Sequence, residues 1–215
     1  MVILALNAFR NGGGVIGPLR IVIDKQIPVG AGLGGGSSDA AALLLALNEQ
    51  SKTPLSQHDL YDISLKLGAD VPVCLARGCQ RVANIGEVFT PHNLPKTGAV
   101  LLVNPGVALS TKDVFKNFAD SNRNTGSGFG GPISVPHVAE IVRLGNDLTE
   151  TAASIVPQIK LCLDELKAAK GVVAAAMSGS GASCFAFFES IDTAKITATH
   201  LDDIGYWTRV TRIFD

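Results

Sequence analysis

Aromatic residues make up 6% of this 215-residue chain, with one Trp and two Tyr, and charged residues only 17%. A formal net charge of −1 leaves no basic footprint for nucleic acid or an anionic membrane surface, and neither partner is expected. Cysteine is scarce too. Cys74, Cys79, Cys162 and Cys184 never stand in C-x-x-C spacing, which excludes a zinc ribbon or dithiol centre of that pattern and fits reduced interior thiols. His58, His92, His137 and His200 are scattered without metal-ligand spacing. No apolar run reaches the length of a membrane span: Ala40–Leu47 is short, and Gly171–Phe188 is broken by glycine and serine. Met1–Ala8 is apolar without a basic leader or cleavage site, so the cytoplasm is the expected compartment.

What the chain does have is a 47% hydrophobic content, enough for a packed core, and 23 glycines. The most informative of these lie in Pro28, Val29, Gly30, Ala31, Gly32, Leu33, Gly34, Gly35, Gly36, Ser37 and Ser38. This run follows a strand-like segment, Leu19–Ile27, and opens a helical one through Ala40–Leu47. A glycine-rich turn at a helix start offers free backbone N–H groups and the positive end of the helix dipole. Glycines also let a polyphosphate approach the backbone closely, so the run reads as a nucleotide-phosphate loop. A Walker-type loop would need Gly-Lys-Ser/Thr at its end, but Ser37 follows Gly36. Gly30, Gly32 and Gly35 formally satisfy G-x-G-x-x-G, yet a turn at Ser51–Pro54 and another helical pattern follow where a dinucleotide fold needs a second strand. A flexible linker is the plain alternative, although a linker would not sit between strand and helix patterns.

Periodicity and breakers predict helices over Met1–Phe9, Ser37–Gln50 with Ser37 or Ser38 as cap, Ser56–Leu67 with a Ser56/Asp59 cap, and a turn over Asp70–Leu75. Strand patterns cover Gln80–Asn84, Glu87–Pro91 and Ala99–Asn104, with a domain boundary expected in Pro91–Gly98. Beyond it come a helix at Thr111–Asn117, a mobile loop at Asn122–Pro132, and helices at His137–Arg143, Asp147–Val156 and Gln158–Ala169. Strands at Val172–Met177 and Ser183–Phe188 flank a glycine turn, and a helix at Asp192–Asp202 and a strand at Tyr206–Ile213 close the chain. Helices and strands without regular alternation indicate an α+β fold.

Four further features carry chemistry, each with a plain structural alternative. Ser37 and Ser38 can cap a helix, or can supply a hydroxyl to a phosphate or a cation. Asp70 follows a glycine stop and can cap the turn after it, a role the resemblance below sets against a catalytic one. Ser178–Ser183 can be only a hairpin turn, or can turn its amides on an anion. Thr111 and Phe115 share a helix face and can line a pocket, with core packing the alternative for Phe115.

The run Ile27–Ser38 resembles the phosphate loop of the GHMP kinases, the galactokinase, homoserine kinase and mevalonate kinase family. Gly68-Ala69-Asp70-Val71-Pro72, Asn104-Pro105-Gly106 with Ser110-Thr111, Asn146-Asp147-Leu148 and Ser178–Ser183 resemble its later motifs, in the same order, over nearly the whole chain. The resemblance implies a two-domain fold, with residues 1–95 an ATP-binding domain and 96–215 a ferredoxin-like C-terminal domain. It implies ATP-dependent phosphorylation of an alcohol on a small molecule of isoprenoid-precursor synthesis, with Mg²⁺ as cofactor and a monomer or weak homodimer as the working form. Asp70 would be the catalytic carboxylate, and Pro28 to Ser38 would bind ATP, with Ser38 also a ligand for Mg²⁺. Thr111, Phe115, Gly179, Ser180 and Gly181 would line the active site. Family members also carry strands and a Lys-x-Asn motif ahead of the equivalent of Met1. None is present here, so the first domain is expected to be truncated at its start, the chain poorly soluble and its turnover slow.

Overall fold

The computed structural model describes residues 1–83, 88–91, 98–120, 142 and 145–212. The expected loop at Asn122–Pro132 and helix at His137–Arg143 lie outside the described residues, apart from Val142, as do residues 92–97 of the expected boundary. Two compact units divide the chain. One comprises Met1–Gln26 and Gly34–Asn93, the other Ile27–Leu33 and Leu94–Asp215.

The first unit is helical apart from one hairpin. Its helices are α1 (Val2–Asn11), α2 (Gly35–Gln50), α3 (Gln57–Leu67) and α4 (Asp70–Ala76), and strands β1 (Gln80–Ala83) and β2 (Val88–Pro91) pair antiparallel. Helix α2 packs on α1 and α4, and the fully buried Ala5, Phe9, Ala40, Leu44 and Val71 form the centre of this core. The Ser56/Asp59 box forms as the sequence predicts, with the Ser56 side chain accepting from the Asp59 amide and the Asp59 side chain accepting from the Ser56 amide. Its hydrogen bond to the Ser56 hydroxyl holds the Asp59 carboxyl below the usual carboxylate range. A lowered pKa means this contribution is present above the ordinary value of 3.8 and is lost as pH falls through the depressed one. Ser56→Ala is expected to cost about 1 kcal/mol in chemical denaturation at neutral pH, with the difference from wild type shrinking in acid.

One expected strand does not form. Leu19–Ile27 carries the β-branched run Ile21–Ile23, but residues 14–26 have no ladder partner among the described residues. A strand exists only by pairing, and local β-propensity does not supply a neighbour. Val22 remains 73% exposed and Ile23 50%.

The second unit is built on one antiparallel sheet. Strand β3 (Ala99–Asn104) is followed by helices α5 (Thr111–Asp120), α6 (Thr149–Ile155) and α7 (Gln158–Ala168). Strands β4 (Val172–Met177) and β5 (Cys184–Phe188), helix α8 (Ile191–Asp203) and strand β6 (Trp207–Thr211) complete it. The order is β4-β5-β3-β6, the split β-α-β topology of ferredoxin-like domains, as expected from the resemblance. The run Ala99–Val103 is apolar throughout because β3 is central, with Leu101 opposite Ala186 on one side and Val210 on the other. Its inward residues Leu101 and Val103 join Ile159, Cys162 and Leu166 of α7 and Leu201 of α8 in the main core.

Candidate active site

The glycine run is shared between the units, since residues 27–33 belong with the second and Gly34 onward with the first. In the first unit, Gly34 is the N-cap of α2 in the left-handed region, φ 65°, which glycine adopts without strain. Helix α2 thus starts two residues earlier than expected, and neither Ser37 nor Ser38 caps it; both stand inside its first turn. Their hydroxyls are not consumed by capping.

Lys25 was not singled out from sequence. Its Nζ lies 2.6 Å from Asp39 Oδ2 and would stand 3.1 Å from a Cβ on Gly35, so an ammonium paired with a carboxylate sits at the start of α2. Nothing in its spacing revealed this, because Lys25 belongs to an irregular segment whose path is set by tertiary packing.

Asp70 opens α4 but caps nothing. The N-cap is Ala69, and the exposed Asp70 side chain makes no hydrogen bond or ion pair among the described residues. Burial first, and then the negative charge of Asp70, push the Cys74 thiol above its usual range. The turn bearing Asp70 and the start of α2 lie on either side of Met1. A Cβ on Gly36 would be 3.4 Å from Met1 Cγ, and one on Gly68 would be 3.8 Å from Met1 Cε. The fold therefore brings the catalytic candidate to the helix end of the glycine run, 32 positions earlier in the chain.

In the second unit, Ser178–Ser183 joins β4 to β5 and fastens residues 27–33. The Ser183 amide donates to the Ala31 carbonyl at 3.2 Å, and the Ser178 hydroxyl donates to the Gly32 carbonyl at 2.9 Å. A Cβ on Gly32 would stand 2.2 Å from the Gly181 carbonyl oxygen, so the two glycine segments are backbone against backbone. Buried Asn104 donates to the Ser183 hydroxyl at 2.9 Å and accepts from the Gly106 amide. Asn146 Nδ2 donates to the carbonyls of Met177 and Gly179 at 3.1 and 2.8 Å. The turn is thus more than a hairpin link, because side chains far apart in sequence hold its shape.

Thr111 Oγ1 lies 2.9 Å from Ser180 Oγ, so the structure brings these two expected site residues together. Phe115 is 54% exposed, which removes the core-packing alternative, as its neighbour Val114 takes the buried position of α5. Pro28 is half-buried, and Val29 is 91% exposed beside Gly30.

Two family models match the chain, the GHMP kinases N terminal domain over residues 1–78 and the GHMP kinases C terminal over residues 136–203. The chain belongs to the GHMP kinase family, whose members draw on ATP as phosphoryl donor. Within it, the chain is 39% identical over 216 residues to the 4-diphosphocytidyl-2-C-methyl-D-erythritol kinase of Gluconacetobacter diazotrophicus, covering 96% of this chain and 70% of that protein. It is 38% identical over 215 residues to the enzyme of the same name from Cereibacter sphaeroides, covering 98% and 76%. A crystal structure of 4-(cytidine 5'-diphospho)-2C-methyl-D-erythritol kinase superposes with a TM-score of 0.77 at 31% identity, over 96% of this chain and 77% of that one. The homoserine kinase of Cytophaga hutchinsonii, at 20% identity and a TM-score of 0.60 over 99% and 74% of the two chains, shares the fold. No helix of the described residues is long and apolar enough to cross a membrane.

Proposed function

We propose that this chain is an ATP-dependent kinase that phosphorylates the 2-hydroxyl of 4-diphosphocytidyl-2-C-methyl-D-erythritol, in the non-mevalonate route to isoprenoids. The observation that carries this reading is 38–39% identity to kinases of that name over nearly the whole chain. The glycine run at the start of α2 and the exposed Asp70 carboxylate, unpaired among the described residues, are the chemistry such a kinase needs.

Phosphoryl transfer asks the protein to hold the phosphates, offset their charge and align a hydroxyl with the γ-phosphorus. Residues 28–38 would bind the phosphates through backbone amides and the positive end of α2, a 16-residue helix. Lys25, held at that helix end by its ion pair with Asp39, would offer an ammonium donor to the phosphates. Asp70 would accept the proton of the attacking hydroxyl as its oxygen bonds to the γ-phosphorus and the bond to the β,γ-bridging oxygen breaks, releasing ADP. Thr111, Phe115, Gly179, Ser180 and Gly181 would line the acceptor side.

Mg²⁺ fits the donors present on the protein only in part. A serine hydroxyl is a hard oxygen ligand, and Ser38 is exposed in the first turn of α2, but no cluster of three acidic, His or Cys side chains exists among the described residues. The ion would therefore be held mainly by phosphate oxygens with Ser38 as the protein ligand, and when bound it offsets phosphate charge. We assign residues 1–95 to the ATP-binding domain, 96–215 to the second domain, and a cytoplasmic monomer or weak homodimer as the working form.

Incubating the chain with ATP and 4-diphosphocytidyl-2-C-methyl-D-erythritol tests the reading, followed by phosphorus NMR of the product. A new phosphomonoester at the 2-position is expected. Phosphorylation of homoserine or mevalonate in place of that substrate would move the chain elsewhere in its family, and release of phosphate without an acceptor product would refute the assignment.

A further inference from the structure

The β4–β5 turn holds two consecutive peptide units of the glycine run by their carbonyls. Ala31 C=O accepts from the Ser183 amide, and Gly32 C=O accepts from the Ser178 hydroxyl. In a trans peptide the C=O and the N–H point in opposite directions, and both of these peptides are trans. Fastening the two carbonyls to the turn therefore directs the N–H groups of Gly32 and Leu33 away from it, side by side. Neither amide donates to a protein acceptor among the described residues, and both residues are half-exposed. Backbone φ is positive at Gly32 (73°) and Gly34 (65°) but not at Leu33 between them. That alternation gathers successive amides into an anion-binding concavity.

We propose that Ser178 is a positioning residue for the donor nucleotide: its hydroxyl holds the Gly32–Leu33 peptide so that the Leu33 amide faces a phosphate oxygen. The proposal rests on the phosphate-loop reading above. Without the hydroxyl this peptide loses its fastening and is free to rotate, which would turn an acceptor oxygen towards a negatively charged ligand. The neighbouring Ala31–Gly32 peptide stays fastened, because its donor is the main-chain amide of Ser183, and Ser183 is itself oriented by Asn104. Ser178 is thus the point where a side chain alone sets the direction of a loop amide.

The test compares the full chain with Ser178→Ala and Ser178→Thr, by calorimetric titration with β,γ-imido-ATP and by steady-state kinetics in both substrates. For Ser178→Ala, the Kd for the analogue and the KM for ATP are expected to rise roughly five- to tenfold, the factor that one net hydrogen bond supplies. The KM for the acceptor and kcat at saturating ATP should change by less than about twofold, because only nucleotide binding is affected. Ser178→Thr, which keeps the hydroxyl, should restore ATP affinity, and all three proteins should melt together. Unchanged affinity in Ser178→Ala overturns the proposal, and so does a threonine variant no better than alanine. A joint rise in both KM values with a fallen Tm overturns it too, by showing that the hydroxyl only stabilises the second unit. If the wild-type chain fails to bind the analogue at all, the phosphate-loop reading falls and the positioning role falls with it.

Discussion

Asp70→Asn is expected to leave ATP-analogue affinity unchanged and to lower kcat by roughly two to four orders of magnitude, the range a positioned acid or base contributes. The expectation rests on what Asp70 does not do. It caps no helix, makes no hydrogen bond or ion pair among the described residues, and is exposed at the first position of α4. Stability should accordingly change by less than about 0.5 kcal/mol, the usual range for a surface substitution, even after loss of its favourable charge at a helix start. Stopped-time assays of the phosphorylated product, together with thermal melts of the same preparations, separate the two effects. Activity within a few fold of wild type would leave Asp70 without a chemical role.

Gly32→Ala is expected to damage the phosphate loop more than Gly30→Ala does, although the two residues have the same left-handed backbone, φ 73° and 72°. Each alanine meets the strain of that conformation, about 1–2 kcal/mol for an L-residue. At Gly30 the new Cβ would meet nothing within 4 Å, whereas at Gly32 it would stand 2.2 Å from the Gly181 carbonyl oxygen and 2.9 Å from its carbon. Those are backbone atoms, so relief requires the loop and the β4–β5 turn to separate. Both carbonyl fastenings, to Ser183 and Ser178, would be strained together. ATP-analogue affinity should fall at least about tenfold more in Gly32→Ala than in Gly30→Ala, equivalent to ~1.4 kcal/mol, and the melting temperature should fall with it. Equal affinities in the two variants would show that the close approach of the segments is not needed for binding.

Much of this organisation was legible from residue order because it is local. The Ser56/Asp59 box, the turn at Gly68, the unbroken apolar run Ala99–Val103 and the strand pair around Ser178–Ser183 depend on neighbours a few positions away. Helix and hairpin periodicity encode such features directly. The candidate phosphate loop was legible for the same reason, since consecutive glycines ahead of a helix former are a local signature of an anion site. Leu19–Ile27 shows the limit, because its β-branched residues favour extension but cannot supply the neighbour that makes a strand.

By itself the sequence determined the α+β class and offered the glycine run as a candidate phosphate loop, Asp70 as the candidate carboxylate and Thr111 and Ser180 as candidate site residues. Only the tertiary structure decided which polar groups are engaged. It made Gly34, not a serine, the cap of α2, put Lys25 at that helix end, and left Asp70 without a hydrogen bond or ion pair among the described residues. It also set Ser178 and Ser183 on the carbonyls of Gly32 and Ala31, 146 and 152 positions away in the chain. The physical reason is that a hydrogen bond between distant residues depends on where packing places two backbones, to within a few tenths of an ångström. No periodicity along the chain carries that distance.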